Sequence, residues 1–197
     1  MRQTIACLLI AIFSVAAAAD QKSVNEKIRK AHQQRNPEKA EKLLREAIAE
    51  DPNSISAHHE LADLLLAMRH FSAAGEEYAR TAALDEQQHK LSDDDRRRVL
   101  DNQGIGFAMG RQFDRAKKVY EDAIAKDPDY PLFYYNLACT YAEMGQLDPA
   151  LEYLREAWKR RKNVLEGESF PDPRQDSSFA KYKNDERFQD AVRDMVF

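Results

Sequence analysis

Five histidines, two cysteines and a glycine cluster are the residues of this chain with reactive potential, and their spacing decides what each can do. The histidines are His32, His58, His59, His70 and His89. A zinc hydrolase needs His-Glu-x-x-His on one helix face, and a structural zinc needs cysteine pairs; neither pattern occurs. His59 and Asp63 stand one helical turn apart, the spacing of a weak metal or proton-transfer pair. It is equally the spacing of two solvated residues, which is the preferred reading. His58 falls on the packing face beside them. Cys139, in Asn-Leu-Ala-Cys-Thr-Tyr, needs a neighbouring base and an oxyanion site to be a nucleophile. The flanking residues supply neither, so Cys139 reads as a buried or groove-lining thiol. Gly104, Gly106 and Gly110 miss the dinucleotide fingerprint by one residue, and no strand precedes them. No catalytic residue, cofactor or metal is assigned, and the chain is read as a non-enzyme. An active site on His59 and Asp63 is the one enzymatic alternative.

The elements carrying these residues repeat. Ala40, Ala74, Ala116 and Ala150 open four similar segments. Four residues on stand Leu44, Tyr78, Tyr120 and Leu154, and three further on Ala47, Thr81, Ala123 and Ala157. Offsets of 0, 4 and 7 lie on one face of an α-helix. Small residues there let a second helix approach, and large ones fill the space beside it. The preceding segments carry matching faces: His58, Leu61, Ala62 and Leu65; Leu100, Gly104 and Phe107; Tyr134, Leu137, Ala138 and Tyr141. Ala40 to Ala74 and Ala116 to Ala150 are 34 residues apart, whereas Ala74 to Ala116 is 42. Gly110 and Gly145 are expected as left-handed helix ends, and Asn36 and Asp148 as caps before a proline.

A 34-residue helix–turn–helix with this small–large–small signature resembles the tetratricopeptide repeat (TPR) family. The repeats run 21–54, 55–88, 97–130 and 131–164, with an insertion at 89–96 read as a lengthened helix start. The family's closing proline is present as Pro52 and Pro128 but replaced by Glu86 and Lys162. Its tryptophan is absent from all four repeats, and repeat 1 is the most divergent. The resemblance implies an all-α fold: a right-handed superhelical α-solenoid of four repeats. Residues 165–197 form a loop and a C-terminal capping helix, with a partner-binding tail as the rival reading.

Residues 1–19 read as a secretory signal: Arg2, an apolar run from Thr4 to Val15, and Ala17-x-Ala19 before Asp20. Cleavage after Ala19 predicts a periplasmic or secreted protein with no stable membrane insertion; an uncleaved anchor is the alternative. The mature region, 20–197, keeps Cys139 alone and so has no internal disulfide. The chain is 32% charged and 43% hydrophobic, with a net charge of −4. That excludes a multi-span membrane protein and argues against nucleic acid as partner.

Within the family, ligands lie against the first helix of each repeat. The resemblance carries that role to His59 and Asp63 in repeat 2, Arg98, Asn102 and Ile105 in repeat 3, and Leu132, Tyr135, Asn136 and Cys139 in repeat 4. Asn102 and Asn136 match a family asparagine that holds a ligand backbone. The family's carboxylate clamp is not expected, because Asn25, Arg29 and Asn102 stand where it needs Lys, Asn and Arg. The implied function is a non-catalytic scaffold binding a protein or peptide, exported to the bacterial envelope or outside. An accessory subunit of an envelope enzyme or assembly complex is the alternative.

Overall fold

The computed structural model describes residues 21–196, so the proposed signal segment lies outside the described residues. Among the described residues, the regular structure is entirely helical. The described residues divide into two compact units, 21–89 and 90–196.

The first unit holds α1 (21–32), α2 (Pro37–Glu50), α3 (Ile55–Ala67) and α4 (Phe71–Gln88). Asn36 starts α2 by accepting from Lys39 N–H at 2.8 Å, with Pro37 in the first turn, where no N–H is missed. Ser54 does the same for α3 through Ala57 N–H. Val24, Ile28 and Ala31 are the buried face of α1, and Ala40, Leu44 and Ala47 that of α2. Leu61, Ala62 and Leu65 of α3 and Ala74, Tyr78 and Thr81 of α4 complete the core.

The second unit holds α5 (Asp93–Met109), α6 (Phe113–Lys126), α7 (Pro131–Glu143) and α8 (Leu147–Arg160). A 3-10 turn, Arg161–Asn163, follows α8; a second, Ser177–Tyr182, precedes α9 (Glu186–Val192). Ser92 caps α5 through Asp95 N–H at 3.1 Å, and three aspartates fill the positive first turn. Residues 93–96 of the insertion are therefore helical. Phe179, Phe188, Val192 and Met195 pack with Tyr135, Ala138, Leu151, Leu154 and Ala157, so the C-terminal residues share the core of α7 and α8.

The prolines closing two repeats act through their carbonyls. Pro52 O accepts from His58 Nε2 at 3.2 Å, and Pro128 O from the Tyr134 hydroxyl at 3.0 Å. A side chain six residues on thus ties each interhelical turn to the next helix.

Two helix ends differ from expectation. Gly145 is left-handed, with φ 83°, but Gly110 is not, with φ −76°; Arg111 takes that conformation one residue later, with φ 59°. The deciding bond is Gln112 N–H to Phe107 O at 2.8 Å, which closes six residues and needs left-handed backbone at 111. Asp148 lies inside the first turn of α8 rather than capping it, because Gln146 is the capping residue. Left-handed backbone costs a non-glycine residue about 1–2 kcal/mol, and stacking of Arg111 on Phe113, 5.2 Å away, returns only about half that. Arg111→Gly is therefore expected to gain about 0.5 kcal/mol in chemical denaturation. A loss would show that the stack outweighs the backbone strain.

Candidate functional site

The nine residues assigned to ligand binding fall on both units, His59 and Asp63 on the first and seven on the second. On α3, His59 Nε2 is 3.8 Å from Asp63 Oδ2, too long for a hydrogen bond. Asp63 instead accepts from the Tyr78 hydroxyl across the helix pair. The Asp63 carboxylate is thus tied to the packing of α3 on α4. Among the described residues, no group of three His, Cys, Asp or Glu side chains is arranged to hold a metal ion.

On the second unit, α5 and α7 present the remaining seven, and residues 165–182 lie against them. Tyr135 is only 2% exposed. Its hydroxyl donates to Asp176 Oδ2 at 2.9 Å, and its ring meets the Phe170 ring edge-on at 5.5 Å. The Cys139 thiol points at the same carboxylate, with Sγ 3.6 Å from Oδ2. Burial, then the Asp176 carboxylate, push this thiol well above its ordinary range, so Cys139 is a protonated donor rather than a thiolate. Asn136 Nδ2 donates to Asp101 Oδ1 at 2.7 Å, so its amide already serves the fold. Arg98 reaches Asp95 at 3.5 Å and Glu168 at 3.7 Å. Asn102, Ile105 and Leu132 are partly exposed.

The sequence did not single out three residues of the C-terminal loop that matter here. Glu168 accepts from the Tyr130 hydroxyl at 2.9 Å and from Leu165 N–H at 3.1 Å. Phe170 also contacts the Trp158 ring at 5.7 Å, and Asp176 caps the 3-10 turn through Ser178 N–H at 2.8 Å. The available signal was an aromatic residue between acids and prolines in an otherwise polar stretch.

Asp101 is the electrostatic anomaly of the site. It is buried, and desolvation raises its carboxyl to about pH 7; Glu168 adds to the rise, while the Asn136 bond opposes it. Beside Asn136, Cys139 and Asp176 an open cavity of about 470 Å³ remains, lined also by Ile105, Ala108, Met109 and Arg111. Met109 is 52% exposed at its edge, one of the two large apolar side chains exposed among the described residues.

Paired helices with small–large–small contacts, repeated along the chain, define a helical-repeat protein. The tetratricopeptide repeat model matches residues 31–92 and 108–165, and the chain belongs to that family. The family binds proteins and peptides and is typically non-catalytic. No curated protein matches the chain significantly. Among solved structures it is similar to a crystal structure of MamA, with TM-score 0.58 and 20% identity over 76% of this chain and 85% of that chain. A second MamA structure gives TM-score 0.59 and 20% identity over 74% and 76%. At such identities these likenesses show the fold alone. Among the described residues, no helix is long and apolar enough to cross a membrane.

Proposed function

We propose that this chain is an exported, non-catalytic adaptor that binds a protein or peptide segment in the groove of its second unit. The observation carrying the reading is the open cavity of about 470 Å³, where Ile105 and Met109 provide apolar contact beside the polar Asn136, Cys139 and Asp176. That mixture suits an apolar anchor with a few hydrogen bonds around it. His59 and Asp63, on the first unit, serve as a separate polar contact. Export rests on residues 1–19, and repeats at 21–54, 55–88, 97–130 and 131–164 remain the proposed organisation.

Ile105→Arg with Met109→Glu tests the groove, because both side chains reach solvent and neither holds the core. A Tyr135 variant is unsuited to this purpose, since Tyr135 is buried. A partner crosslinked to residues 20–197 in cells is expected to bind the folded double variant at least about tenfold more weakly. Unchanged affinity overturns the groove assignment. For export, the intact mass of the protein from cells is expected to match a chain beginning at Asp20. Retention of residues 1–19 overturns cleavage.

A further inference from the structure

We propose that residues 165–176 are an internal ligand seated on the second unit's groove, and that the partner is an extended acidic segment with an aromatic anchor that displaces them. This rests on the groove reading above and specifies its ligand chemistry.

The segment, Leu165-Glu-Gly-Glu-Ser-Phe-Pro-Asp-Pro-Arg-Gln-Asp176, carries four carboxylates against one arginine. It has no helix or strand between the 3-10 turns flanking it. The backbone bonds shown for it are local, Glu168 N–H to Leu165 O and Gln175 N–H to Asp172 O, each 3.0 Å. Its attachment to the repeat helices includes side-chain contacts at three points, and Leu165 and Pro173 of the segment are buried as well. Glu168 takes the Tyr130 hydroxyl and lies near Arg98; Phe170 sits edge-on to Tyr135 and Trp158; Asp176 takes the Tyr135 hydroxyl and the Cys139 thiol. The segment thus meets the helices through an aromatic ring flanked by two hydrogen-bonded carboxylates, the pattern of an aromatic anchor with polar contacts around it.

The flanks are built differently. Leu154 and Ala157 on one side and Phe179, Phe188 and Val192 on the other belong to one buried cluster. Release of 165–176 removes one partly buried ring, Phe170, from the edge of that cluster, whose buried members all lie outside the segment. The seat is also imperfect, because Glu168 brings a second acid toward buried Asp101 and raises it further. The open cavity begins where the segment ends: Asp176, Ser177 and Ser178 line it with Ile105 and Asn136. An incoming chain can occupy the cavity first and then replace the segment residue by residue. Ligand and segment compete for the same tyrosines, so free groove is limiting.

The test uses a fluorescent synthetic peptide of residues 165–176, titrated by anisotropy into the 20–197 chain and into Glu168→Ala/Phe170→Ala. Removing the seated segment is expected to tighten binding about tenfold if it covers the groove about 90% of the time. A peptide with alanine in place of its phenylalanine is expected not to bind. If the double variant loses its helical circular dichroism, Glu168→Gln serves instead, with a severalfold gain expected. A folded variant that binds the peptide no tighter than the parent overturns the proposal, and so does equal binding of the phenylalanine-free peptide. If that happens while Ile105→Arg/Met109→Glu still loses the crosslinked partner, the groove reading stands and the internal-ligand inference falls.

Discussion

Gly104→Ala is expected to lower the stability of the second unit by about 3 kcal/mol, the upper end of the cost of inserting one methyl group into a full core. A Cβ at 104 would stand 2.6 Å from Tyr120 Cε1 and 2.6 Å from the Tyr120 hydroxyl, far inside van der Waals contact. Tyr120 is fully buried and cannot swing outward. Its hydroxyl donates to Asp101 O at 3.2 Å, so a shifted ring also strands a buried polar group. The repeat position matching Gly104 in the first unit is Ala62, and there the matching Tyr78 bonds to Asp63 instead. Urea unfolding followed by the fluorescence of Trp158, the only tryptophan, reads the second unit directly. In a Tyr120→Leu background the same alanine is expected to cost less than about 1 kcal/mol, since the clashing atoms are gone. Equal costs in both backgrounds would place the strain elsewhere.

Asp101 sets the second large effect. Its folded-state carboxyl sits at about 7, above the 3.8 of a free aspartate, so the folded protein holds a proton there that the unfolded chain releases. Stability attributable to this group is therefore full below about pH 4, falls as pH rises toward 7, and is level above. The drop is on the order of 2–4 kcal/mol, at about 1.4 kcal/mol for each tenfold difference in proton affinity between the folded and unfolded chain. Asp101→Asn keeps an oxygen for Asn136 and carries no charge, so it is expected to abolish most of this slope and to be more stable than the parent at pH 8. Unfolding at pH 4.5, 6 and 8 for both proteins checks it. A parent whose stability rises over that range would show that Asp101 is ionised in the fold.

The helices, their pairing and the family were legible because the governing interactions are local and periodic. Ala116, Tyr120 and Ala123 meet their partner helix whatever lies beyond it, and the caps at Asn36 and Ser92 act within three residues. Helix ends governed by bond geometry were less legible: Arg111 rather than Gly110 turns left-handed, because the six-residue closure fixes the position, not the residue type.

The site was legible only as a set of helix positions. That α5 and α7 face one groove follows from the repeat, so Ile105, Asn136 and Cys139 come together around the cavity. What fills the groove does not follow from periodicity. The Tyr135–Asp176 bond spans 41 residues, the Tyr130–Glu168 bond 38 and the Asn136–Asp101 bond 35. Nothing periodic in 165–176 announces where that segment lies. By itself the sequence determined the helical repeats, their small–large–small contacts and the family, since each rests on neighbours within a turn or a helix pair. Only the tertiary structure decided that Tyr135 is covered and that Asp101 is buried beside Asn136, because burial of a side chain depends on residues distant in the chain.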